Sequence, residues 1–419
     1  MNTKTSAQTR ATARSGSWLR QQVLSRFSQL ETGQITLVDG DQQWQFGDSE
    51  APSEISARVT VLNQQLYRYV ALGGSIGAAE SYMAGDWQAD DLTTVVRIFV
   101  LNQTLLNNME RGMARLSAPL FRWLHKRNRN TRDGSARNIS AHYDLGNEFF
   151  ALFLDNNMMY SSAVYQDPSD TLEAASEHKL ERICRKLELK PGDEVLEIGT
   201  GWGGFALFAA TRYGCHVTTT TISSEQHNQA RQRIEKANLG DRVTLLKKDY
   251  RDLDGKFDKL VSIEMIEAVG HQYLDTYIKK CSSLLKDDGM FCLQAITIQD
   301  QIYQQALRGV DFIQRYIFPG SFIPSVGAIS DAVARVSDMR LFHLEDIGPS
   351  YALTLREWRR RFMGRLDEVR QMGYPESFIR MWEYYLCYCE GGFIERSIGN
   401  AQILLTKPGC RRTSLVPTL

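Results

Sequence analysis

Long apolar runs are missing from this chain of 419 residues, although 43% of its residues are hydrophobic. Apolar stretches such as 403–405, and 195–198 with its interrupting Glu197, are far shorter than the about 18 residues that a membrane-spanning helix needs. The seven cysteines contain no CxxC pair, and their odd number favours neither a disulfide framework nor a zinc site. We therefore expect a globular protein of the reducing cytoplasm that does not span a bilayer and binds no metal.

Acidic residues are absent before Glu31, and a second stretch is nearly free of them. Residues 111–137 carry eight Lys or Arg against the single acid Asp133. Such a segment suits an anionic phospholipid surface, where each cation contributes about 1 kcal/mol, or a solvated linker, and charge alone leaves both open. No nucleic-acid-binding motif accompanies it, so a nucleic-acid partner is not expected. Residues 1–17 lack an apolar core and are interpreted as a disordered basic tail, with an organelle transit peptide as the alternative.

The first part of the chain has the pattern of a small α+β domain. Short strand patterns, 35–38 and 43–46, flank the turn dipeptide Asp39-Gly40 and predict a β-hairpin. Helices are predicted over 78–83, 92–106 and 113–124, before the polar basic run 126–135. We place a boundary in that run and divide the chain into a tail, a small domain with a basic linker, and a large domain, spanning 1–17, 18–135 and 136–419.

The large domain alternates strand and helix patterns. Predicted strands are 194–198, 216–222, 243–247, 259–263 and 290–296, and predicted helices are 171–187, 205–212, 225–238 and 273–285. This alternation is typical of a doubly wound parallel sheet. Later strand patterns, 341–347 and 401–405, bracket a helical segment, 355–398. The sequence therefore predicts an α/β, Rossmann-like sheet with helical lid insertions.

A glycine turn follows the first strand of this sheet. Glycines at Gly199-x-Gly201-x-x-Gly204 let the backbone turn tightly and approach a ligand closely. Dinucleotide enzymes share this spacing but place an acid at the end of the second strand, where this chain has 218–222 and no acid before Glu225. The acid lies instead in the first strand, at Glu197, and 249–251 follows the third strand, where an adenine could be held. The pattern favours S-adenosylmethionine over NAD.

Several further motifs occur in one order along nearly the whole chain. They are 80–87 (Glu-Ser-Tyr-Met-x-Gly-x-Trp), 142–150, 160–163, 197–204, 221–226, 249–252, 316–320 and 384–393. Together they resemble the cyclopropane-fatty-acyl-phospholipid synthases and the related mycolic acid cyclopropane synthases. The resemblance implies that S-adenosylmethionine is held by Tyr160, Ser161, Glu197, Gly199, Thr200, Gly201, Trp202, Gly203, Gly204, Thr221, Ile222, Ser223, Ser224, Glu225, Gln226, Tyr250 and Arg251. Core positions are the alternative for Tyr160 and Trp202, and the preferred role for His142.

The resemblance also implies a reaction. A methyl group passes from S-adenosylmethionine to the double bond of an unsaturated acyl chain in membrane phospholipid, giving a cyclopropane fatty acid. The family holds a bicarbonate base with a cysteine, a glutamate, a histidine, a backbone amide and a tyrosine, which match Ser162, Glu267, Gln294, Ile296 and Tyr351 here. Gln cannot become cationic as His can, so a methyl-branched or unsaturated methylated chain is the alternative product. Glu267 could then act directly as the base.

Cys389 matches a cysteine sometimes assigned to the family's active site and is a further catalytic candidate. The alternative interpretation is a buried free thiol. The resemblance implies a small domain that docks on lipid or forms a homodimer. We expect a cytoplasmic enzyme, peripheral at the inner membrane face. A lipid-binding protein without catalysis and a methyltransferase for a soluble small molecule are the other functions left open.

Overall fold

The structure is a computed structural model that describes residues 18–103 and 145–413. These residues form two compact units. The first comprises 18–103, 309–316 and 363–395, and the second comprises 145–308, 317–362 and 396–413. Four features of the sequence lie outside the described residues: the tail 1–17, the predicted helix 113–124, the basic segment 111–137 and the motif residues 142–144.

The first unit is built on a four-stranded sheet of order β2-β1-β3-β4. Its strands are β1 (Gln34–Asp39), β2 (Gln42–Gly47), β3 (Ser56–Val61) and β4 (Trp87–Ala89), and its first helices are α1 (18–27), α2 (Gln65–Met83) and α3 (Leu92–Leu101). The predicted hairpin is confirmed, since β1 and β2 are antiparallel and Gly40 takes a φ of 59° in the turn. Glycine adopts this left-handed conformation without the steric cost of a side chain.

A long C-terminal helix, α13 (Glu376–Ile394), completes the first unit by packing on α2 and α3. A Cβ at Gly391 would lie 2.8 Å from the Val96 side chain, so glycine permits a close approach of α13 and α3. Thr93 Oγ1 donates a hydrogen bond to Glu390 Oε2 over 3.1 Å, although the two residues are 297 positions apart. The sequence placed this segment in the large domain, because periodicity along the chain does not reveal contacts at such separations.

The second unit contains a seven-stranded sheet of order β10-β11-β9-β8-β5-β6-β7. Its strands are β5 (Glu194–Ile198), β6 (His216–Thr220), β7 (Val243–Leu246), β8 (Phe257–Ile263), β9 (Leu285–Ile298), β10 (Arg340–Asp346) and β11 (Ile398–Thr406). Neighbours from β7 to β9 are parallel, and β11 is antiparallel to both β9 and β10. The predicted Rossmann-like α/β sheet is confirmed.

Helices flank this sheet, and those that the sequence predicts over 171–187, 205–212, 225–238 and 273–285 are among them. They are α4 (Asn147–Ala151), α5 (Leu172–Lys186), α6 (Gly204–Tyr213), α7 (Ser224–Lys236), α8 (Leu274–Ser283), α9 (Asp300–Ala306), α10 (Val326–Val336) and α11 (Gly348–Met363), and the short α12 (Leu366–Gln371) precedes α13 in the first unit. None of the helices in the described ranges is both long enough and apolar enough to cross a bilayer.

The core of the second unit lies against the parallel strands. Leu196, Leu260 and Phe291, from β5, β8 and β9, have no exposed surface. Strands buried on both faces contain continuous apolar runs, as residues 290–293 of β9 do. Parallel strands that share an edge bring their carboxyl ends together, and ligands bind there in open α/β sheets. The ends of β5, β6, β8 and β9 therefore position the site.

Candidate active site

The glycine turn joins β5 to α6 through three glycines with positive φ. The angles are 103° at Gly199, 51° at Gly201 and 86° at Gly203. At Gly204 a Cβ would lie 2.5 Å from Met159 Sδ, so this glycine permits close packing beneath the turn. A Cβ at Gly201 would meet nothing within 4 Å. The turn therefore exposes backbone to open space, which is the arrangement that a cofactor needs.

Glu197 anchors the turn to the neighbouring strand. Thr219 Oγ1 donates to Glu197 Oε2 over 2.6 Å, and the hydroxyls of Thr219 and Thr200 are 2.7 Å apart. Burial raises the pKa of Glu197 to about 8, against the hydrogen bond from Thr219 and the positive charge of Lys179. Both Glu197 and Thr200 are buried, so their side chains act on the turn from inside the unit.

Lys179 is a site residue that the sequence analysis missed. It is fully buried on α5, and its Nζ donates to Ser161 Oγ over 2.7 Å. Burial lowers the pKa of Lys179 to about 8, and the negative charges of Glu264, Asp155 and Glu197 oppose that shift. The signal was present in the sequence, because Lys179 lies at helical spacing on the apolar stripe of α5.

Hydroxyl and amide groups occupy the end of the second strand. Thr221 Oγ1 donates to Gln226 Oε1 over 2.9 Å. The Ser223 side chain caps α7 by accepting a hydrogen bond from the backbone N–H of Gln226. The three residues are buried. The other residues of this predicted segment are half-buried or exposed: Ile222, Ser224 and Glu225.

The predicted adenine segment forms an ordered pair after the third strand. The Arg251 guanidinium donates twice to the Asp249 carboxylate, over 2.8 and 2.7 Å. It also lies over the Tyr250 ring, 5.4 Å from the ring centroid. Tyr250 in turn packs edge-on against Tyr277, so its ring is held from both sides.

An aromatic cluster lies between the turn and α11. Trp202 is 2% exposed, packs on Phe150 at 5.1 Å between centroids, and donates from Nε1 to Asn147 Oδ1 over 2.6 Å. The Tyr160 ring packs on Phe150 at 5.2 Å and stacks on Trp358 at 5.3 Å. Trp202 is therefore an interior side chain, which the sequence left open, and half-buried Tyr160 forms one face of the cluster.

Glu264 is the centre of a hydrogen-bond network that the sequence analysis also missed. It directly follows β8, and its carboxylate accepts four hydrogen bonds. The donors are Ser162 N (3.0 Å), Gln294 Nε2 (2.8 Å), Tyr351 OH (2.7 Å) and Asn400 Nδ2 (2.5 Å). An acid at the carboxyl end of a parallel strand was the available signal.

Glu267 lies one short turn further along the chain. Its Oε1 accepts a hydrogen bond from the Ile296 amide over 2.6 Å. Its Oε2 is closed off from solvent and has no hydrogen-bond partner among the described residues. Burial, and then the negative charge of Glu264, raises the pKa of Glu267 to about 8. A carboxylate oxygen in this state is a strong proton acceptor.

Gln294 connects Glu264 to a polar row across the sheet. Gln402 Nε2 donates to Gln294 Oε1 over 3.0 Å, and Lys186 Nζ donates to Gln402 Oε1 over 2.6 Å. Lys186 also forms an ion pair with Glu345 at 2.7 Å. Buried polar groups are stable when each has a partner, and this row supplies one at every step.

The structure thus brings five of the six predicted catalytic residues to two neighbouring carboxylates of the second unit. Ser162, Gln294 and Tyr351 contact Glu264, while Ile296 contacts Glu267. The sixth, Cys389, lies on α13 in the first unit. Burial raises the pKa of its thiol, and the nearby carboxylate of Asp311 adds to the shift. A thiol in this state stays protonated, and a catalytic role for Cys389 stays a prediction.

Comparison with known proteins agrees with this geometry. The family model described as mycolic acid cyclopropane synthetase matches residues 130–403, which is more than half of the chain. The tuberculostearic acid methyltransferase UfaA1 of Mycobacterium tuberculosis is 40% identical over 355 residues, 83% of this chain and 81% of the relative. The cyclopropane-fatty-acyl-phospholipid synthase of Escherichia coli K12 is 38% identical over 355 residues, 84% of this chain and 88% of the relative.

A solved structure shares the fold. The mycolic acid cyclopropane synthase CmaA1 complexed with SAH and CTAB superposes with a TM-score of 0.61 at 27% identity, covering 65% of this chain and 98% of that one. The matched family model, the two relatives and the glycine turn all agree. The chain therefore belongs to the mycolic acid cyclopropane synthetase family and is an S-adenosylmethionine-dependent methyltransferase.

Proposed function

We propose that this enzyme transfers a methyl group from S-adenosylmethionine to the double bond of an unsaturated acyl chain in membrane phospholipid, giving a cyclopropane fatty acid. The observation that carries the proposal is the Oε2 atom of Glu267, a buried carboxylate oxygen without a partner among the described residues. Such an atom suits the removal of a proton from a cationic hydrocarbon. The E. coli relative, named as a cyclopropane-fatty-acyl-phospholipid synthase, supports the same assignment.

Tyr351 links the carboxylates to the aromatic cluster. Its hydroxyl donates to Glu264 Oε2, and its ring packs edge-on to Trp358, with 6.1 Å between centroids. Trp358 stacks in turn on Tyr160, which packs against Phe318 at 6.3 Å. Aromatic faces attract cations by about 0.5 to 2 kcal/mol. Aromatic rings and carboxylates in one cluster are suited to a carbocation in an apolar setting.

S-adenosylmethionine, when bound, supplies an electrophilic methyl group. The glycines of the turn, with Tyr160, Ser161, Thr221, Gln226 and Tyr250, are the residues that would hold it. The alkene electrons form the new carbon–carbon bond as the carbon–sulfur bond breaks, S-adenosylhomocysteine leaves, and positive charge remains on the other alkene carbon. Glu267 Oε2 then accepts a proton from the new methyl group, and the electrons of that C–H bond close the ring. The protein contributes position, exclusion of water and a fixed charge distribution.

A second product is favoured by one specific observation. The residues that match the family's cysteine and histidine, Ser162 and Gln294, donate only to other protein groups, and neither carries a positive charge. If Glu267 takes a proton from a chain carbon instead of the new methyl group, the product is an unsaturated, methylated acyl chain. The 40% identical relative bears the name of a methyltransferase and not of a cyclopropane synthase.

Lipid analysis tests the proposal. The full-length protein is incubated with S-adenosylmethionine carrying a labelled methyl group and with vesicles of mono-unsaturated phosphatidylglycerol and phosphatidylethanolamine. Mass spectrometry should show acyl chains heavier by one labelled methylene. Cyclopropane signals in proton NMR identify the ring, while alkene signals at the methylated carbon identify the second product. Lipid binding without S-adenosylhomocysteine formation would contradict catalysis and favour a lipid-binding protein.

We also propose that the enzyme works at an anionic membrane surface. The support is the charge of segment 111–137, which the structure does not describe. Rates on vesicles should rise with anionic lipid content and fall with added salt, because screening weakens surface attraction. Equal rates on neutral and anionic vesicles, or turnover of a dispersed small acceptor, would count against membrane docking. The homodimer stays a prediction.

A further inference from the structure

The pocket around Glu264 consists of hydrogen-bond donors. Three of its four donors, Ser162 N, Gln294 Nε2 and Tyr351 OH, belong to residues that the family resemblance assigns to a bicarbonate ion. In this chain all three donate to a carboxylate of the protein itself. Ser162 Oγ, the atom in the place of a cysteine thiol, donates to the Ala163 carbonyl over 2.9 Å. The donors that would hold bicarbonate therefore already have an anion.

The direction of the Gln294 amide follows from the polar row behind it. Lys186 has only donors, so the atom of Gln402 that it contacts must be the amide oxygen. Gln402 then presents its amide nitrogen to Gln294, which must answer with its own oxygen. The remaining atom of Gln294, Nε2, is left to donate to Glu264. Lys186 thus determines that the sheet presents a donor at Glu264.

The backbone of Glu264 supports a specific role for its side chain. Its φ is 50°, in the left-handed region, which is sterically unfavourable for a residue with a Cβ. Non-glycine residues in such conformations cluster at functional sites, where the surrounding structure holds them. Here four hydrogen bonds to the carboxylate hold the side chain in place, and they stabilise the backbone conformation of Glu264.

We propose that Glu264 supplies the anion of this active site from the chain itself, so that the enzyme requires no bicarbonate. The inference rests on the proposed function and concerns how that site is built. Bicarbonate does not fit the donor set, because it would need the donors that Glu264 occupies and would add a negative charge beside two carboxylates. Glu264 is a positioning residue: it orients Tyr351 and Gln294 and places negative charge beside Glu267, the proton acceptor.

Carbonate-free assays test the inference on the wild-type enzyme. S-adenosylhomocysteine formation and lipid product are measured in buffer stripped of carbonate under argon, and again with bicarbonate added. Equal rates are expected. A wild-type rate that falls on stripping and returns with bicarbonate would overturn this inference and leave the proposed function intact. No product in either buffer would overturn the proposed function and the inference together.

A substitution that empties the pocket provides the complementary test. Glu264→Gly removes the carboxylate and suits the positive φ, so the backbone conformation is kept. The rate should fall on the order of 10- to 100-fold, and added bicarbonate should restore part of it. Glu264→Gln fills the same space without charge, so it should lose rate and gain nothing from bicarbonate. A Glu264→Gly enzyme with full rate, or one that bicarbonate leaves unchanged while its thermal unfolding matches wild type, would overturn the inference.

Glu188 offers a matched control. It is also a glutamate with positive φ, 51°, and it lies on the exposed loop before β5, with its carboxylate 3.6 Å from Arg412. Glu188→Gly removes a carboxylate and relieves the same backbone conformation away from the site. It should keep the wild-type rate and show no response to bicarbonate. A bicarbonate response in this control would mean that the rescue of Glu264→Gly is unspecific, which would overturn the inference.

Discussion

The glycine turn and the pair of carboxylates differ in how the chain assembles them. The turn, 197–204, is one contiguous segment whose backbone conformation depends on glycines within it. The carboxylate site draws Ser162, Glu264, Gln294 and Asn400 from separate parts of the chain, up to 238 positions apart, since Ser162 and Asn400 both donate to Glu264. A local motif carries its chemistry in its own sequence, whereas an assembled site depends on strand order.

The difference also appears in the electrostatics. At the turn, the buried acid Glu197 accepts a hydrogen bond from the Thr219 hydroxyl and lies near the positive charge of Lys179, and both oppose the rise in its pKa that burial causes. At the second site, two carboxylates lie close together, and one of them has an oxygen without a partner in the described chain. These surroundings support the proposal that the first arrangement holds the cofactor and that the second takes a proton.

The largest effect is expected from Glu267→Gln, which removes the proton acceptor of the assembled site. The amide oxygen of Gln can still accept the hydrogen bond from Ile296 N, so the fold should be kept. Turnover, measured as S-adenosylhomocysteine formation, should fall by about 10²- to 10⁴-fold, while cofactor affinity by calorimetry stays near wild type. Glu188→Gln serves as the surface control. Turnover within tenfold of wild type would remove Glu267 from its proposed role.

A smaller effect, on binding alone, is expected from Gly201→Ala in the contiguous turn. The new methyl group would enter the open space where the cofactor is expected, so the Kd should rise about tenfold, equal to about 1.4 kcal/mol. Gly192→Ala is matched, since Gly192 also has positive φ and open space, but lies away from the turn. Both variants should lose similar thermal stability. Equal affinities in the two variants would contradict cofactor binding at the turn.

Gln402→Leu tests the polar row that supports the assembled site from a distance. It leaves Lys186 Nζ and Gln294 Oε1 without their shared partner, so the free energy of unfolding should fall by about 1 to 3 kcal/mol. Turnover should fall several-fold because the Gln294 amide is no longer fixed, while cofactor affinity is unchanged. Gln299→Leu, at an exposed position, is the control. Loss of cofactor affinity equal to the loss of turnover would show that the two sites are not separate.

The smallest effect concerns pH. The base form of Glu267 is the deprotonated one, and its pKa is raised to about 8, so kcat/KM should rise with pH, reach half its maximum near pH 8 and level off above it. The negative charge of Glu264 contributes to that shift, so Glu264→Gln should move the limb to lower pH, by about one pH unit or less. The profile of that variant is measured on its residual activity. If the rising part of the pH profile does not move in Glu264→Gln, its titration belongs to a group other than Glu267.

Much of the fold could be predicted from the sequence, because each strand and helix of the second unit is indicated by the pattern of residues within its own short segment. The strand 194–198 and the hairpin around Gly40 were predicted correctly. The sequence analysis placed the α13 segment in the large domain, whereas the helix belongs to the first compact unit, because its partners α2 and α3 lie far away along the chain. Lys179 and Glu264 were missed for a related reason, since a charged residue shows its role only through its neighbours in space.

The sequence by itself determined the parallel sheet, the glycine turn and the family, since each rests on local spacing, on hydrophobic periodicity or on a run of motifs. Only the tertiary structure decided that Glu264 fills the donor pocket and that Glu267 keeps an oxygen without a partner among the described residues. The physical reason is that hydrogen-bond saturation and desolvation depend on distances and burial, and residues separated by many positions acquire both only when the strands are side by side.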